Sequence, residues 1–251
     1  MKTAVVIGAT SGIGREVAIR LIEEGWKVGI AGRRLERLLD LQGKYGPEQV
    51  ACEAIDIDRA DATAALDALL ERTGPPDLFL HVSGIGGQNP KMDEAKELKI
   101  LETNCLGMTR MVAHFVNYVK AHPVYDKRHK AQIGVVTSVA GTDGLGISAA
   151  YSASKRMQIT YLTALSQLVR MEGLPIRFSD IRPGFVQTDI LDPAKHHPFL
   201  MSVEKAGEYV MKGLRRKRRI IIFDWRYRLI TGLWRLIPRA IWERLTIIRL
   251  Q

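Results

Sequence analysis

A serine, a tyrosine and a lysine occur together in the stretch TSVAGTDGLGISAAYSASK, with Ser138 thirteen residues before Tyr151 and Lys155 four residues after it. Residues four apart on a helix share one face, so a lysine ammonium can lie close to the tyrosine hydroxyl. Because tyrosine has an ordinary pKa of about 10, it needs a nearby cation to act as an acid or base near neutral pH. Such a tyrosine could protonate a forming alkoxide while Ser138 donates a hydrogen bond to the same oxygen.

A tyrosine and a lysine at this spacing also arise by chance, but three further features accompany them here. A glycine-rich turn containing Gly8, Gly12 and Gly14 follows the first apolar run. Asn104 lies between that turn and the serine, and Pro183-Gly184 follows the lysine. Together these features favour one assembled site.

Apolar runs and helical patterns alternate along the chain, which predicts a parallel sheet with helices on both faces. The predicted strands are 3–7, 26–31, 50–57, 78–82, 133–137, 176–181 and 219–223, and the predicted helices are 13–24, 35–41, 60–71, 94–119 and 151–171. The predicted fold class is α/β: a single-domain, Rossmann-like, doubly wound parallel sheet of about seven strands, with an amphipathic C-terminal helical segment. We place the dinucleotide-binding and catalytic domain at residues 1–223 and the C-terminal segment at 224–251.

Ligands of such sheets bind beyond the carboxyl ends of the strands. Gly8, Ser83, Ser138 and Pro183 each follow a predicted strand, so we expect them to converge on one crevice. In the first of these turns, GATSGIG, glycines allow a tight bend and a close approach of backbone N–H groups to a pyrophosphate at the helix start. This pattern favours a dinucleotide ligand over an ordinary loop.

The residues after the second strand bear on the choice of dinucleotide. Gly32-Arg33-Arg34 stands where an NAD site usually has an acid for the ribose hydroxyl. Guanidinium groups suit a 2′-phosphate, so Arg33, with Arg34 as a helper, predicts NADP(H). The alternative is that both arginines are solvated residues at a helix entry. Asp56 could accept from the adenine amino group or serve as a structural acid at a helix start.

At these residues the chain resembles the short-chain dehydrogenase/reductase family. The matching elements are GATSGIG, Asp56, Ser83-Gly84, Asn104, Ser138, Tyr151-x-x-x-Lys155 and PGFVQT at 183–188, and they cover about residues 1–190. One departure is His81-Val82-Ser83-Gly84, where the family usually has Asn-Asn-Ala-Gly.

The resemblance implies a role for each matching residue. Tyr151 is implied as the general acid/base, Ser138 as the substrate-orienting hydroxyl, and Lys155 as a ligand of the nicotinamide ribose. Asn104 is implied to anchor a water that links Lys155 to solvent. The implied cofactor-binding residues are Gly8, Thr10, Ser11, Gly12, Ile13, Gly14, Arg33, Arg34, Asp56, Ile57, Ser83, Gly84, Tyr151, Lys155, Pro183, Gly184, Val186 and Thr188. Without the Tyr151–Lys155 pair, Ser138 would be interpreted as a serine that caps a helix or turn, and Asn104 as a satisfied amide inside a helix.

Small and apolar residues surround the expected substrate position. They are Val139, Gly144, Leu145, Ile147, Ser148 and the loop 190–200, and they suit a hydrophobic ketone or alcohol. His196 and His197 in that loop could bind substrate or metal, although an exposed pair is the plainer interpretation, and we predict no metal site. Cys52 and Cys105 have no metal-ligand spacing, and two reduced thiols suit the cytoplasm.

The net charge of +10 is concentrated near the C-terminus. Residues 215–251 carry eleven lysines and arginines against two acids, so nine of the ten net charges fall there. Leu229, Leu233, Leu236, Ile237, Ala240 and Ile241 fit one helical apolar face, and Pro238 predicts the start of a second helical piece. The pattern is typical of an amphipathic helix at a membrane surface and equally of a clasp on the body or on a second copy.

The partners expected from these features are a small-molecule substrate, a homo-oligomer (dimer or tetramer) and a peripheral membrane contact. Nucleic acid is disfavoured because the basic residues accompany no reading motif. The predicted activity is an NADP(H)-dependent hydride transfer to or from a carbonyl or alcohol of an apolar, lipid-like molecule. An alternative is a catalytically idle NADPH-binding protein recruited through its tail, which would not need to keep Asn104, Ser138, Tyr151 and Lys155. A sugar-nucleotide epimerase or dehydratase would need a larger C-terminal domain.

Overall fold

The computed structural model describes residues 1–189, 191 and 198–245. Within them the strands are β1 (Thr3–Ile7), β2 (Lys27–Gly32), β3 (Val50–Ala54), β4 (Leu78–His81), β5 (Ala131–Val136), β6 (Ile176–Arg182) and β7 (Ile220–Ile222). All pair in parallel, in the order β3-β2-β1-β4-β5-β6-β7. The fold class predicted from the sequence is confirmed.

The helices of the described residues cover both faces of the sheet. They are α1 (Gly12–Glu23), α2 (Leu35–Tyr45), α3 (Ala62–Thr73), α4 (Glu94–Leu101), α5 (Met108–Ala121), α6 (Ala149–Met171), α7 (Val203–Arg215), α8 (Trp225–Trp234) and α9 (Arg239–Trp242). Helices α3, α5 and α6 pack on one face, and α1, α2 and α7 on the other. Because both faces are covered, strands such as β1 are buried nearly throughout.

The strand order reverses beside β1, which pairs with β2 on one side and β4 on the other. Ile7 at the end of β1 lies opposite Ala31 of β2 and His81 of β4. A crevice opens beyond the carboxyl ends of the strands at such a reversal. The turns after β1, β2, β4, β5 and β6 therefore form the walls of the crevice.

The helix predicted at 94–119 contains a π-helical turn at Glu102–Gly107, between α4 and α5. Turns of this kind interrupt the regular hydrogen-bond spacing and occur often at functional sites. Asn104 is at the centre of this turn and is fully buried.

Helix α7 was not predicted from the sequence. Its glycines, which are poor helix formers, allow close packing. A Cβ on Gly207 would lie 2.6 Å from Glu16 Cγ of α1, and one on Gly213 would lie 2.5 Å from the Ile221 side chain. Close approach to neighbours explains a sequence that looks only weakly helical.

The C-terminal segment is helical, and Pro238 precedes α9 as expected. Helix α8 packs on the body through Tyr227 and Thr231, whereas Leu229, Leu233 and Leu236 of the predicted apolar face are 54%, 57% and 76% exposed. That face points away from the rest of the described chain. In residues 1–189, 191 and 198–245, no helix has the length and apolar character needed to cross a membrane.

Candidate active site

A cleft of about 580 Å³ opens at the carboxyl ends of the strands. It is lined by most of the residues implied as a cofactor site: Gly8, Thr10, Ser11, Gly12, Ile13, Arg33, Arg34, Asp56, Ile57, Ser83, Gly84, Tyr151, Lys155, Pro183, Gly184, Val186 and Thr188. Gly14, Asn104 and Ser138 are not among the lining residues. Distant parts of the sequence therefore meet in one place, and their individual roles remain predictions.

The glycine turn after β1 leaves room only for backbone. Gly8 has a φ of +97°, and a Cβ there would lie 2.6 Å from the Ser83 nitrogen. Gly14 packs directly on the carbonyl of Gly8, so it too must lack a side chain. The turn delivers the chain to the N-terminus of α1, whose first turn carries no acidic residue. Its free N–H groups fit the pyrophosphate of a dinucleotide.

The two arginines after β2 differ in their surroundings. Arg34 Nη2 donates to Thr10 Oγ1 at 2.9 Å and to Ser11 Oγ at 2.8 Å, and its Nη1 lies 3.6 Å from Asp189. Arg33 is exposed at the rim of the cleft. Arg34 thus ties β2 to the glycine turn, and Arg33 is the one placed to meet an anion from outside.

The far end of the cleft contains two acids, one of which the sequence analysis missed. Asp56 Oδ1 accepts from the Asp58 nitrogen at 3.2 Å, so Asp56 also stabilises its own turn. Asp58 lines the cleft, and its Oδ2 lies 2.7 Å from Lys99 Nζ. Its Oδ1 is buried without a hydrogen-bond partner among the described residues. A Cβ on Gly107 would lie 3.1 Å from this oxygen, so it faces the π-helical turn. Only its two-residue distance from Asp56 could have drawn attention to Asp58.

Ser138, Tyr151 and Lys155 meet at the inner end of the cleft. Ser138 follows β5, and its Oγ accepts from the Ala140 nitrogen at 3.1 Å, which leaves its proton available to donate. Lys155 Nζ lies 5.8 Å from the centre of the Tyr151 ring. It donates to the carbonyl oxygen of Val136 at 3.1 Å, which anchors the lysine to the sheet.

Burial governs the ionisation of this pair. Burial raises the pKa of Tyr151, and a hydrogen bond with Ser138 opposes that rise. Burial lowers the pKa of Lys155 to about 8, against smaller opposing effects of Cys105 and Asp180. Both shifts reflect the cost of holding a charge out of water.

Asn104 braces the cleft wall. Its Oδ1 accepts from the Ile85 nitrogen at 2.9 Å, and its Nδ2 donates to Ile85 O at 2.8 Å and Ser154 Oγ at 3.0 Å. A Cβ on Gly84 would lie 3.0 Å from Asn104 Oδ1 and 3.5 Å from Lys155 Nζ. Gly84 thus lets the loop after β4 approach both side chains.

The departure at His81 puts an imidazole where the family usually has an asparagine. His81 is fully buried, and neither ring nitrogen has a hydrogen-bond partner in the described part of the chain. Burial, aided by the nearby Lys155 cation and opposed by a smaller effect of the Ser83 backbone, lowers the pKa of His81 to about 3. The ring is therefore neutral at physiological pH.

The segment after β6 closes the cleft. Thr188 reaches the glycine turn, where a Cβ on Gly12 would lie 3.0 Å from its Cγ2. The Tyr227 ring packs on Gly184 so tightly that a Cβ there would overlap it. Tyr227 Oη also accepts from the Phe185 nitrogen at 3.3 Å and donates to Pro198 O at 2.8 Å. A residue of α8 therefore supports the segment after β6 that lines the cleft, which the sequence did not predict.

The substrate side is only partly described. Val139, Leu145, Ile147 and Ser148, in the segment before Tyr151, are half-buried, and Gly144 is exposed. Trp242 of α9 donates from Nε1 to Gly144 O at 2.8 Å. Ile190, His196 and His197 lie outside the described residues. Within residues 1–189, 191 and 198–245, no group of His, Cys, Asp and Glu could hold a metal ion.

Known proteins resemble this chain in sequence and in fold. The short chain dehydrogenase family matches residues 2–198. The chain belongs to the short-chain dehydrogenase/reductase family. An uncharacterized oxidoreductase of Myxococcus xanthus is 32% identical over 248 residues, spanning 96% of this chain and 95% of the relative.

Two solved structures share the fold of this dehydrogenase/reductase. A short chain dehydrogenase of Burkholderia cenocepacia in complex with NADP has a TM-score of 0.81 at 21% identity, covering 99% of this chain and 100% of the other. One of Burkholderia phymatum in complex with NAD has a TM-score of 0.81 at 20% identity, covering 100% and 98%. The family match makes the chain an oxidoreductase, and these structures share its nucleotide-binding fold.

Proposed function

We propose that the protein is an NADP(H)-dependent oxidoreductase that transfers a hydride between the nicotinamide and a carbonyl or alcohol of an apolar, lipid-like molecule. The observation that carries this proposal is the joint placement of Arg33 and Arg34 at one end of the cleft and of Tyr151 and Lys155 at the other. Arginine in place of an acid after β2 favours a 2′-phosphate over a free ribose hydroxyl. The solved relatives contain both NAD and NADP, so the preference rests on these two residues.

The chain's own residues supply everything except the hydride, which the reduced nicotinamide would provide. The Ser138 hydroxyl donates to the substrate oxygen and orients it. Tyr151 donates its proton to that oxygen as the carbonyl becomes an alkoxide, so an alcohol and a tyrosinate result. The Lys155 ammonium stabilises the tyrosinate until it regains a proton. In the reverse direction the tyrosinate takes the proton from the alcohol.

The cofactor preference is tested by isothermal titration of the wild type with NADPH and NADH. We expect tighter binding of NADPH, and we expect Arg33→Asp to weaken it about 10-fold or more, since a charge-assisted hydrogen bond is lost. Arg37→Asp, on the exposed face of α2 and outside the cleft, is the matched control. A wild type that prefers NADH would overturn the NADP(H) assignment.

The substrate class is supported by half-buried apolar residues in the segment 139–147, which precedes Tyr151 in the chain and whose Gly144 carbonyl accepts from Trp242. NADPH oxidation with long-chain ketoacyl, steroid and sphingoid ketones, against short polar ketones, tests it. Faster turnover of the polar set would contradict an apolar substrate.

We further propose that the protein contacts an anionic membrane surface through α8 and α9. Trp225, Leu229, Leu233, Leu236 and Ile241 form an exposed apolar surface, named here the C-terminal face, and each is at least 52% exposed. Exposed arginines at 228, 235 and 244 accompany it, and a positive apolar surface suits anionic lipid.

Co-sedimentation with anionic and with zwitterionic vesicles tests the membrane contact. We expect binding to anionic vesicles that weakens as salt rises and is lost in Leu236→Glu. Leu98→Glu, at a leucine 57% exposed on α4, is the control. Light scattering measures self-association in the same samples, and loss of an oligomer in Leu236→Glu without any lipid binding would assign the C-terminal face to a second copy instead.

A further inference from the structure

Gln158 lies one helical turn beyond Lys155 on α6 and is fully buried. Its Oε1 accepts from Lys155 Nζ at 3.1 Å, and its Nε2 donates to the carbonyl oxygen of Asn104 at 2.7 Å. Both ends of one amide are thus engaged. The side chain bridges the lysine to the backbone of the π-helical turn.

The bridge joins Asn104 and Lys155, the two residues that the resemblance links through a water. The Asn104 side chain is itself committed to Ile85 and Ser154, and its backbone carbonyl is the group that accepts from Gln158. A water can accept one proton and release another, whereas an amide passes protons poorly. A side-chain bridge therefore holds the lysine in place without connecting it to solvent by this route.

The groups around Lys155 determine how much Gln158 contributes to stabilising the lysine's positive charge. Tyr151 is on the same helix, His81 is neutral on β4, Cys105 is in the π-helical turn, and Asp180 is on β6. Asp180 is already paired with Arg182, whose Nε lies 2.8 Å from its Oδ2. The described oxygens that accept from the ammonium are then two neutral ones, Val136 O and Gln158 Oε1.

We propose that Gln158 is a positioning residue that keeps the Lys155 ammonium charged and directed at Tyr151 by tying it to the Asn104 backbone. The proposal rests on the proposed oxidoreductase function for its catalytic meaning, but its electrostatic content stands without a substrate. Removing the amide oxygen takes away one of two hydrogen bonds to a buried cation. The neutral lysine is then favoured at a lower pH.

The direct test is a ¹³C NMR titration of the lysine ε-carbons in the full-length protein, with the Lys155 signal assigned by Lys155→Arg. We expect the Lys155 midpoint to fall by about one pH unit in Gln158→Leu, because a hydrogen bond to a charged group is lost. In Gln158→Glu the midpoint should rise, because a carboxylate keeps the acceptor and adds a negative charge. Unchanged midpoints in both variants would overturn the proposal.

A matched control separates electrostatics from packing. Leu162→Ala removes a fully buried side chain one turn further along α6, so it should lower the melting temperature and leave the Lys155 midpoint unchanged. If Gln158→Leu fails to fold, the rise of the Lys155 midpoint expected in Gln158→Glu still tests the proposal. A midpoint in Gln158→Glu at or below that of the wild type would contradict the proposal.

Kinetics provide the second measurement once a ketone substrate is found. The basic limb of the pH profile of kcat/KM for reduction should move with the NMR midpoint in each variant. If the wild type turns over no ketone in the substrate screen, the proposed function is rejected, and the NMR titration still tests the role of Gln158. A shifted midpoint with an unmoved basic limb would show that Lys155 does not control the reaction, and would overturn the catalytic meaning of the bridge.

Discussion

The proposed catalytic centre and the C-terminal face differ in where they place polar and apolar side chains. Around Lys155 the polar side chains are inside the molecule, and Asn104 and Gln158 are fully buried with hydrogen bonds at both ends of their amides. On the C-terminal face the apolar side chains are outside, with Trp225 71% and Leu236 76% exposed. Burying polar groups requires partners within the chain, whereas exposing apolar surface points to a partner beyond it.

The comparison predicts that changes at the centre act on chemistry and changes at the C-terminal face act on association. The sharpest case is Tyr151→Phe, which removes the proton donor and keeps the ring. We expect turnover to fall by at least ~100-fold, the lower end of a general acid's contribution, while titration shows nearly unchanged NADPH binding. Turnover at the wild-type rate on any good substrate would refute the assignment and favour another acid.

Helix α8 contains both kinds of residue, so its inner face should behave like the core. Tyr227 is 6% exposed and packs on Gly184. Tyr227→Ala should cost about 3 kcal/mol of unfolding free energy, because a buried ring is removed, and NADPH binding should weaken with it. Urea unfolding and titration measure the two effects. A stable Tyr227→Ala that still binds NADPH would show that residues 224–251 are separable from the body.

His81 is buried like Asn104 and Gln158, but its ring nitrogens have no hydrogen-bond partner among the described residues. The free energy of unfolding should therefore depend on pH through His81. Its pKa is near 3 in the folded protein and about 6.5 when unfolded. Below pH 6.5 the unfolded state binds a proton that the folded state refuses, so stability should fall with acidification. Between pH 7.5 and pH 5 the loss should be on the order of 2 kcal/mol relative to His81→Asn. If the unfolding free energies of the wild type and of His81→Asn change equally with pH, His81 is not a neutral ring without hydrogen bonds.

The same contrast explains what could be predicted from the sequence. The strands and the glycine turn were found because burial on both faces and tight turns leave local patterns, as in β1 and Gly8. The π-helical turn around Asn104 was not predicted, because its residues fit the pattern of an ordinary α-helix. Gln158 and Tyr227 act through contacts with residues 54 and 43 positions away (Asn104 and Gly184). Such pairings have no signal in one sequence, and the apolar pattern of α8 could not say which side faces outward.

The smallest effect on stability is expected from Leu233→Ser, on the outer side of α8. Leu233 is 57% exposed, so the unfolding free energy should change by no more than ~0.5 kcal/mol. Binding to anionic vesicles should nevertheless weaken, since an apolar contact with the membrane is lost. Thermal unfolding and co-sedimentation on the same preparation, beside Tyr227→Ala, measure both faces of one helix. A fall in melting temperature as large as that of Tyr227→Ala would mean that the outer side is covered in solution, and the C-terminal face would then belong to a protein interface.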